Sequence, residues 1–445
     1  MIRSLLIANR GEIAARVIRT AKKMNISSVA VYSDADRGAA YLRKADHAVG
    51  LGGNTPLESY LDTSKIINIA LAHGCDAIHP GYGFLAENPA FVEKCREAGL
   101  IFIGPDAEAI RIMGDKARAR ETAQKFGLPT VPGSGIITSP GEAADFCSHL
   151  GYPVLLKATA GGGGIGMRKV GSAKDLNQAF SETADRAKVA FGDQRIYIEK
   201  YLEEPHHIEI QVLRDQFGGI ITFAERECSV QRRYQKVIEE SPSTFVNPDL
   251  RRKLRGAARA LIGGIGYVNA ATVEFVVDSA HNFYYLETNT RLQVEHPLTE
   301  VSTGLDLVEL QIRIASGEAL PLEEATLTAA GWALEARIYA EDPHRFYPSP
   351  GTITEYFEPA GLKIRVDSGY NTQGVVTPYY DPLIAKLITW GEDRNEALQN
   401  MLKGLEDFRI TGIKTNIPFL QEAFASPLFR AGGYDTHFIE KMRMT

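Results

Sequence analysis

The chain has 445 residues, a formal net charge of −6 at pH 7 and 23% charged residues. This length suggests two to four domains or lobes, and the composition is ordinary for a globular protein. The net negative charge argues against non-specific nucleic-acid binding, and no apolar run approaches the length of a membrane-spanning helix.

The first residues and the cysteines indicate a cellular compartment. Met1 to Ala8 is apolar but too short to span a membrane or to target the chain, and Arg10 and Glu12 follow directly. The four cysteines are scattered and form no Cys-x-x-Cys motif. We therefore predict a reducing, cytoplasmic compartment.

Alternating strands and helices open the chain. This order predicts a parallel sheet with helices on both faces, which we place at about residues 1–103. The predicted strands are Ser4–Ala8, Ser28–Tyr32, Ala77–His79 and Leu100–Ile103, and the predicted helices are Glu12–Met24, Lys65–Ala72 and Phe91–Ala98.

The segment His79–Phe84, with the sequence His-Pro-Gly-Tyr-Gly-Phe, follows one of these strands. Glycines beside an aromatic residue at the carboxyl end of a strand form a loop where open α/β sheets bind ligands. Tyr82 is therefore a candidate contact, with a structural turn as the alternative. Further on, one helix is predicted over Asp106–Phe126, and Lys116 lies within it.

A glycine-rich loop follows the apolar strand that ends at Lys157. Five of the six residues from 161 to 166 are glycine, and Met167–Val170 resembles a returning strand. The loop is therefore predicted to be a hairpin lid, and neither a Rossmann fingerprint nor a Walker A loop. Glycine backbone N–H groups can approach phosphates closely, and Lys157 adds a positive charge. A flexible linker is the alternative.

The next segments place charged residues on strands. Arg195–Leu202 is a predicted strand with an acid–base pair, of the kind that lies beside an adenine where two lobes join. His207–Val212 alternates polar and apolar residues, as half-buried strands do. Glu225–Lys236 carries three arginines and a lysine. This last segment is a predicted anion site, with a solvated charge run as the alternative.

Two strands joined by a turn carry the most unusual polar residues. Thr272–Val277 and Phe283–Leu286 are strand-like, and the turn-rich segment between them predicts a hairpin. If the second strand continues, alternate side chains share one face of the sheet, namely Glu287, Asn289, Arg291 and Gln293. A buried sheet face does not normally carry such a set without a binding role.

The register of this hairpin would bring two acids together. If Val277 faces Tyr284, then Glu274 faces Glu287 on the same side. Opposed carboxylates repel each other unless a cation lies between them, and Mg²⁺ is commonly held by one or two carboxylates and substrate phosphates. The hairpin therefore predicts a Mg²⁺ site, with exposed edge charges as the alternative.

The remaining elements are simpler. A helix is predicted over Leu250–Ile265, an antiparallel region from Trp332 to Thr389, and a last helix over Glu396–Phe408. The sequence has no internal repeat and no low-complexity tract.

Six motifs in this order resemble the biotin carboxylase family of ATP-grasp ligases over nearly the whole chain. Several long matches in the right order are far more specific than any one of them. The motifs are Ala8–Ala14, His79–Phe84, Lys157 with its glycine loop, Cys228–Arg233, Glu287–His296 and Gly412–Asn416.

The resemblance implies a fold of the α/β and α+β classes. An N-terminal doubly wound parallel-sheet lobe would be followed by an ATP-grasp module, with a mobile glycine-rich lid and an antiparallel-sheet C-terminal lobe. We place the N-terminal Rossmann-like lobe at 1–103, a helical linker at 104–129, the lid subdomain at 130–201, and the C-terminal ATP-grasp and biotin carboxylase lobe at 202–445.

The same resemblance assigns roles to residues. Glu295 would be the base that deprotonates bicarbonate, Arg337 would face the ureido oxygen of biotin, and Tyr82 would line the biotin pocket. Bicarbonate would contact Lys236, Arg291, Gln293 and Val294.

The resemblance also implies a metal and a nucleotide site. Glu274 and Glu287, with Asn289 nearby, would hold Mg²⁺, and Mn²⁺ is an alternative ion. ATP would contact Lys116, Lys157, Gly163, Gly164, Met167, Glu199, Lys200, Leu202, His207 and Gln231, with Tyr234 next to the nucleotide.

The implied reaction is the carboxylation of biotin on a carrier protein. A base and nearby cations would bring bicarbonate, a poor nucleophile, to the γ-phosphate of ATP. Carboxyphosphate would form and break down to CO₂ and phosphate. The phosphate can take the proton from N1′ of biotin while Arg337 stabilises the developing charge, and the lid would exclude water.

The chain departs from the family pattern at two positions. Ile165 stands where the family usually has Arg or Lys, and Tyr234 stands where it usually has His or Asn. Both lie near phosphate chemistry, and neither is a base, metal or bicarbonate residue. Two alternatives stay open: another ATP-grasp carboxylate ligase, and a catalytically weak nucleotide-binding subunit.

The sequence also bears on partners. It lacks an Ala-Met-Lys-Met biotin-attachment motif, so biotin is expected on a separate carrier protein, or on another part of a longer chain. The family implies a homodimer and a carboxyltransferase partner. The final carboxyl acceptor is left open, and neither nucleic acid nor membrane is an expected partner.

Overall fold

The computed structural model describes residues 2–159, 166–321 and 330–444. Within these residues the strands form sheets of five, four and eight strands, together with two ribbons of two strands each. None of the described helices is both long and apolar enough to cross a membrane.

The N-terminal lobe is a five-stranded parallel sheet with helices on both faces. Its elements are β1 (Ser4–Ile7), α1 (Gly11–Lys23), β2 (Ser27–Tyr32), β3 (His47–Gly50), α2 (Thr63–Ala72), β4 (Ala77–His79), α3 (Pro89–Glu97) and β5 (Ile101–Phe102). The strands lie in the order β3-β2-β1-β4-β5. Leu5 and Ile7 pack with α1 on one face, while Leu6 and Ala8 pack with α2 and α3 on the other. The predicted doubly wound lobe is thus confirmed.

The single helix predicted over Asp106–Phe126 is wrong. Two helices, α4 (Ala107–Gly114) and α5 (Lys116–Lys125), are separated by Asp115. The Asp115 carboxylate accepts hydrogen bonds from the backbone N–H groups of Ala117 and Arg118, each at 3.0 Å. Asp115 therefore caps a new helix, which competes with continuation of the first one.

A four-stranded antiparallel sheet follows. Its elements are β6 (Gly133–Ile137), α6 (Pro140–Leu150), β7 (Val154–Ala158), β8 (Met167–Val170), α7 (Ala173–Phe191) and β9 (Ile196–Lys200). The strands lie in the order β6-β9-β7-β8. Lys157 pairs with Met167, which confirms the predicted returning strand. The glycine loop between them, with Gly163, Gly164 and Ile165, lies outside the described residues.

The largest sheet is antiparallel and has eight strands. The elements of its first part are β10 (His206–Arg214), β11 (Ile220–Arg232), β12 (Gln235–Ser241), α8 (Pro248–Gly264), β13 (Asn269–Val277), β14 (Phe283–Asn289), α9 (His296–Thr303) and α10 (Leu307–Ala315). The first five strands run in the order β14-β13-β10-β11-β12, and α8 packs on their apolar face.

The C-terminal part of the chain completes this sheet. Its elements are β15 (Trp332–Tyr339), β16 (Gly351–Thr352), β17 (Glu355–Phe357), β18 (Ile364–Ser368), β19 (Val375–Val376), β20 (Leu383–Gly391), α11 (Arg394–Asp407), β21 (Arg409–Thr411), α12 (Ile417–Ala425), α13 (Pro427–Arg430) and α14 (Phe438–Met444). Three of these strands, β15, β20 and β18, extend the sheet beside β12. The predicted antiparallel region is confirmed, whereas the domain boundaries at 103, 129 and 201 stay predictions.

The predicted hairpin forms, but its assumed register is wrong. Val277 pairs with Phe283 and not with Tyr284. The register then shifts between Glu274 and Phe275, because β14 has one extra residue there. This bulge brings Glu274 opposite Glu287 after all, since one extra residue reverses the face of every side chain that follows.

Buried ion pairs join the N-terminal lobe to the large sheet. Arg16 of α1 contacts Glu300 of α9 at 2.5 Å and Asp306 at 2.8 Å. Arg365 of β18 contacts Glu300 at 2.8 Å and Asp367 at 2.5 Å. The Arg16 pairs cross the lobe boundary, and Arg365 completes the cluster on the side of the large sheet; because these charges are largely removed from water, each depends on its partners.

The lobes also meet through glycine backbone. A Cβ atom at Gly369 would lie 2.3 Å from the carbonyl carbon of Gly11 and 2.6 Å from the nitrogen of Glu12. The start of α1 therefore packs directly on the loop after β18, where no side chain larger than hydrogen fits.

We predict that Gly369→Ala lowers the free energy of unfolding by about 1–3 kcal/mol, because the added methyl group must push the two backbones apart. Gly38→Ala is the matched control, since a Cβ atom there meets nothing within 4 Å; its stability should stay the same or rise by up to about 1 kcal/mol. Urea denaturation measures both, and equal stability of the two variants would contradict the contact.

Candidate active site

A set of charged side chains lies on one face of the large sheet, opposite the face that α8 covers. The side chains come from six neighbouring strands and from the segment after β14, and most are buried. The set comprises His207 and Glu209 of β10, Arg226 of β11, Lys236 and Glu239 of β12, Glu274 of β13, Glu287 and Asn289 of β14, Arg337 of β15, and Arg291, Gln293 and Glu295.

Lys236 is at the centre of this set. Its Nζ lies 2.6 Å from Glu209, 2.9 Å from Glu274 and 2.6 Å from Glu295. Burial alone would lower the pKa of Lys236, but the three carboxylates raise it well above its ordinary value. The ammonium group therefore stays charged and holds three acids together.

A bulge determines which face Lys236 occupies. Val230 pairs with Ile238 while Gln231 pairs with Lys236, so β12 has an extra residue at Val237. Without that residue, Lys236 and Glu239 would point to opposite faces, because strand side chains alternate. The bulge places both of them in the site.

Glu274 is saturated with donors. Its Oε1 accepts from Lys236 at 2.9 Å, from Asn289 at 2.6 Å and from Gln293 at 2.8 Å, and its Oε2 lies 2.5 Å from His207 Nε2. Burial opposes ionisation, but Lys236 and His207 hold the pKa of Glu274 below its ordinary value. This carboxylate is therefore ionised at neutral pH.

Glu287 faces Glu274 across the hairpin, and no described residue donates a hydrogen bond to it. Burial and then the charge of Glu274 raise its pKa, while the positive charge of Lys116 opposes that rise. A carboxylate in this position is stabilised by a cation, so the pair fits a hard divalent ion such as Mg²⁺. Atoms of His207, Glu209 and Glu274 also lie within 4.8 Å of one another and could hold a metal.

Glu295 lies between two cations. Its Oε1 accepts from Lys236 at 2.6 Å and its Oε2 accepts from Arg337 Nη2 at 2.9 Å. Burial disfavours its charge, yet Lys236, Arg337 and Arg226 hold the pKa of Glu295 well below its ordinary value. Arg337 also donates through Nε to Glu239 at 2.6 Å.

The segment after β14 closes one side of the site. The strand ends at Asn289, so the predicted continuous strand through Gln293 is wrong. Arg291 nevertheless reaches the same group of residues, donating to Asn289 at 3.0 Å and to Gln293 at 3.1 Å. Its Nε donates to Glu87 of the N-terminal lobe at 2.9 Å, which ties that lobe to the site.

Several of the described residues predicted to contact ATP are charged and make side-chain hydrogen bonds. Lys157 Nζ donates to Glu199 at 2.8 Å, and Arg120 donates to the other oxygen of Glu199 at 3.0 Å. Lys200 bonds the carbonyl groups of Gly151 and Tyr152, at 3.2 and 3.1 Å. Lys200 therefore joins the end of β9 to the loop before β7, within the four-stranded sheet.

A second part of this region joins β10, β11 and the C-terminal helix. Gln231 Nε2 lies 2.7 Å from His207 Nδ1, and His207 contacts Glu274. A predicted nucleotide contact is thus linked to one of the two opposed carboxylates. Leu202 follows Tyr201, whose hydroxyl lies 3.1 Å from His437 Nε2. Met167 is on β8, at the end of the glycine loop.

Tyr234 lies at the tip of the turn between β11 and β12. Arg233 has φ = 50° and Tyr234 has φ = 67°, as a two-residue turn with the twist of a hairpin requires. The Tyr234 side chain is 56% exposed, so it is free to contact a bound molecule.

Tyr82 lies at the carboxyl end of β4, as predicted, but it does not touch Arg337 directly. Its hydroxyl donates to Glu12, and Glu12 lies 3.1 Å from the ammonium group of Lys386. Lys386 in turn donates to the backbone carbonyl of Val294 at 2.7 Å. Tyr82 is thus connected through two buried charges to the loop that carries Glu295.

Several residues of the site were not predicted from the sequence. For Glu209 and Arg226 the sequence pattern indicates only an alternating strand and a charged segment, and no pattern indicates Glu239. The spacing of His207, Glu209 and Gln211 on one strand could have indicated Glu209, because residues two apart share a face. Nothing in the sequence marks the bulge that brings in Glu239.

This arrangement can bind and activate a small anion. Lys236, Arg291 and Arg337 supply positive charge, Glu295 is an ionised carboxylate among them, and the two hairpin carboxylates can hold a metal beside a phosphate chain. The site therefore fits the transfer of a phosphoryl group to an oxyanion.

Comparisons with known families agree with these observations. The family model described as "Biotin carboxylase, N-terminal domain" matches residues 1–110, "Carbamoyl-phosphate synthase L chain, ATP binding domain" matches 115–323, and "Biotin carboxylase C-terminal domain" matches 335–441. The three matches follow one another along almost the entire chain.

Individual relatives are similar over nearly their whole length. Biotin carboxylase 2 of Bacillus subtilis is 48% identical over 99% of this chain and 100% of its own. Biotin carboxylase of a Nostoc species is 48% identical over 98% of this chain and 98% of its own.

A solved structure has the same fold. It is the biotin carboxylase domain dimer of Hydrogenobacter thermophilus 2-oxoglutarate carboxylase, in complex with MgADP, ADP and bicarbonate. It superposes with a TM-score of 0.97 at 45% identity and covers 100% of this chain and 98% of its own.

We predict that Lys236→Met lowers the free energy of unfolding at neutral pH by about 3–5 kcal/mol, because it leaves three buried carboxylates without their shared cation. Lys253→Met, at an exposed ion pair with Asp249, should change it by less than about 1 kcal/mol. Urea denaturation of both variants measures the difference.

The effect should depend on pH with a definite sign. In Lys236→Met the carboxyl pKa values of the folded protein rise above those of the unfolded chain. Such groups stabilise the fold below the unfolded pKa and lose that contribution as the pH rises. The deficit against wild type should therefore shrink as the pH falls from about 7 to about 5, and a constant deficit would contradict the shared-cation role.

Proposed function

This chain belongs to the biotin carboxylase family, and we propose that it uses ATP and bicarbonate to carboxylate biotin on a carrier protein. The observation that carries the proposal is the position of Glu295 between Lys236 and Arg337, next to the opposed carboxylates of Glu274 and Glu287. A base, an anion site and a metal site are thus adjacent.

The metal site is assigned to Glu274, Glu287 and Asn289. Bound there, Mg²⁺ would neutralise charge on the phosphate chain of ATP. The saturated Glu274 is a rigid, ionised ligand, and Glu287 is the adjustable one, because its charge becomes stable only beside a cation. Lys116 and Lys157 would add positive charge on the same side.

Glu295 is assigned the role of the base. It is ionised, but Lys236 and Arg337 make it a weak base because both stabilise its charge. A bicarbonate ion that engages Lys236 and Arg291 takes up part of this positive charge. The basicity of Glu295 then rises when its substrate is present, and the bicarbonate oxygen gains nucleophilicity toward the γ-phosphate of ATP.

Arg337 is assigned to the ureido oxygen of biotin. Its guanidinium is held from two sides, by Glu239 and by Glu295. Deprotonation of biotin at N1′ places negative charge on the ureido oxygen, and a fixed guanidinium stabilises that charge without reorganisation. Phosphate released from carboxyphosphate is the acceptor of the N1′ proton.

The nucleotide contacts are assigned to both lobes around the hairpin. Lys157, Glu199 and Met167 lie on the lid sheet, while Lys116, His207 and Gln231 face them from α5 and the large sheet. Gly163 and Gly164 of the glycine loop are also proposed to contact the nucleotide. Lys200, Leu202 and Tyr234 lie at the edges of the same region.

Partners and location belong to the same proposal. A biotin carboxyl carrier protein or domain would present biotin, a carboxyltransferase would use the product, and two copies of this chain would form a homodimer. The solved relative that is a biotin carboxylase domain dimer supports the last point. The cytoplasmic location stays a prediction.

The direct test is the rate of ADP formation by the purified chain with MgATP. We expect hydrolysis that requires bicarbonate and that free biotin stimulates. Replacing biotin with other acceptors, such as ammonia, separates this activity from that of another ATP-grasp ligase. Hydrolysis that responds to neither bicarbonate nor biotin would overturn the proposal, and tight MgATP binding without turnover would support a nucleotide-binding subunit instead.

Arg337→Ala should separate the two halves of the reaction. Biotin carboxylation should fall about 100- to 1,000-fold, as for loss of an oxyanion donor, while bicarbonate-dependent ATP hydrolysis is partly retained. Arg394→Ala is a control, because Arg394 is a comparable arginine that bonds Glu240 of β12 at 2.8 Å and packs against Phe429, away from the site. That control should keep the ratio of the two rates, and an equal loss of both rates in Arg337→Ala would contradict the assigned role.

Glu295→Gln should abolish both activities while nucleotide binding is retained. Removal of the base should lower both rates by about 100-fold or more, and titration with a fluorescent ATP analogue checks the binding. Glu300→Gln changes a second buried carboxylate nearby, one that pairs with Arg16 and Arg365. It should retain turnover, and normal turnover of Glu295→Gln would refute the base assignment.

A further inference from the structure

Two glutamates lie behind Arg337: Glu239 holds its guanidinium, and Glu335 has no function in the mechanism above. Glu239 of β12 and Glu335 of β15 are directly opposite each other in the antiparallel register. Both are fully buried, at 0% exposure. Opposed carboxylates in such a place repel strongly if both are ionised.

The hydrogen bonds of the two groups differ. One oxygen of Glu239 accepts from Arg337 Nε at 2.6 Å, and its other oxygen has no partner. Neither oxygen of Glu335 has a partner. Three buried carboxyl oxygens are thus unpaired in one place, although buried polar atoms are normally bonded.

We propose that Glu239 and Glu335 share one proton, with Glu335 neutral, and that this pair is the positioning device for Arg337. The inference rests on the proposed function, since it concerns how Arg337 is held for biotin. A neutral Glu335 leaves the full charge of Glu239 for Arg337. It also avoids a second buried anion.

The charged groups around the pair favour this state. Arg337 and Lys236 stabilise the charge of Glu239, while Glu295 opposes it. Glu335 faces Lys386 of β20, but Lys386 already contacts Glu12 and the Val294 carbonyl. His296 of α9, the helix above this face, is held neutral because burial and Lys386 lower its pKa well below the ordinary value.

The proton affinities agree with the geometry. Burial, partly offset by Arg337, raises the pKa of Glu239 to about 7. Burial, partly offset by Lys386, raises the pKa of Glu335 well above its ordinary value. Because the pKa of each group is raised, the two groups together hold one proton near neutral pH.

The pair has a specific consequence for the reaction. Glu295 is the other acceptor of Arg337, and it loses its charge when it takes the proton of bicarbonate. Glu239 then remains as the only ionised partner that the described residues offer to Arg337. A guanidinium that keeps its orientation through this change can meet the ureido oxygen in the next step.

The first test uses the unmodified chain. Infrared spectroscopy of wild type at pH 7 should show the carbonyl stretch of a buried carboxylic acid. The difference spectrum of wild type minus Glu335→Gln should contain this band at pH 7, and the band should persist in Glu240→Gln. Glu240 is the matched control, because it is equally buried on β12 but bonds Arg394, Trp332 and Tyr434 on the other side of the strand. No acid band in wild type would overturn the proposal.

The second test is kinetic. Glu239→Gln should lower the rate of biotin carboxylation about 10- to 100-fold, as for a misplaced reacting group, and should lower bicarbonate-dependent ATP hydrolysis by a clearly smaller factor. Glu240→Gln should keep the ratio of the two rates. Equal loss of both rates in Glu239→Gln would contradict a positioning role.

The third measurement is the pH profile. In wild type, ionisation of Glu335 at alkaline pH adds a competing anion, so carboxylation should fall there. Glu335→Gln cannot ionise, and its activity should extend to higher pH. If carboxylation by Glu335→Gln falls at the same alkaline pH as carboxylation by wild type, the shared proton is overturned. It is also overturned if wild type requires a bound monovalent cation and Glu335→Gln does not. The infrared measurement does not require the chain to carboxylate biotin. Failure of the shared proton can therefore be distinguished from failure of the proposed function.

Discussion

The site depends on one ammonium group that neutralises carboxylates from three separate parts of the chain. Glu209 comes from β10, Glu274 from β13 and Glu295 from the segment after β14, and Lys236 contacts all of them. A buried charge is tolerable only when it is paired, so these segments are stable together and costly apart. The acidic hairpin, the base and the arginine beyond it therefore have fixed positions relative to one another before any substrate binds, which is the condition for electrostatic catalysis.

Most elements could be predicted from local pattern, because the strands and helices of the N-terminal lobe and the large sheet have clear periodicity. Local pattern did not determine which face a side chain occupies. Leu286 and Val237 are the extra residues of two bulges, and each reverses the alternation of its strand. The pairing of Glu274 with Glu287 was predicted from an incorrect register, and Glu239 was missed for the same kind of reason. Bulges are set by packing across the sheet, which single-strand patterns do not contain.

Some residues of the site could likewise be predicted from the sequence, and others could not. Glu295 lies in the motif Glu287–His296, Glu274 could be predicted from the hairpin, and the role of Lys236 followed from the family resemblance. Among the described residues, Tyr82 is connected to the site through Glu12 and Lys386, which are far apart in sequence and become partners through the docking of two lobes. The break at Asp115 is likewise a competition between capping and helix continuation, and propensity alone favours the longer helix.

The position of Lys386 has a consequence for how the chain can be divided. This lysine is fully buried in the large sheet, and its carboxylate partner belongs to α1 of the N-terminal lobe. A fragment that begins after the first lobe would leave Lys386 without Glu12 and Asp306 without Arg16, while Glu300 would keep only Arg365. Each lobe therefore neutralises buried charges of the other, and removing the first lobe should destabilise the large sheet as well.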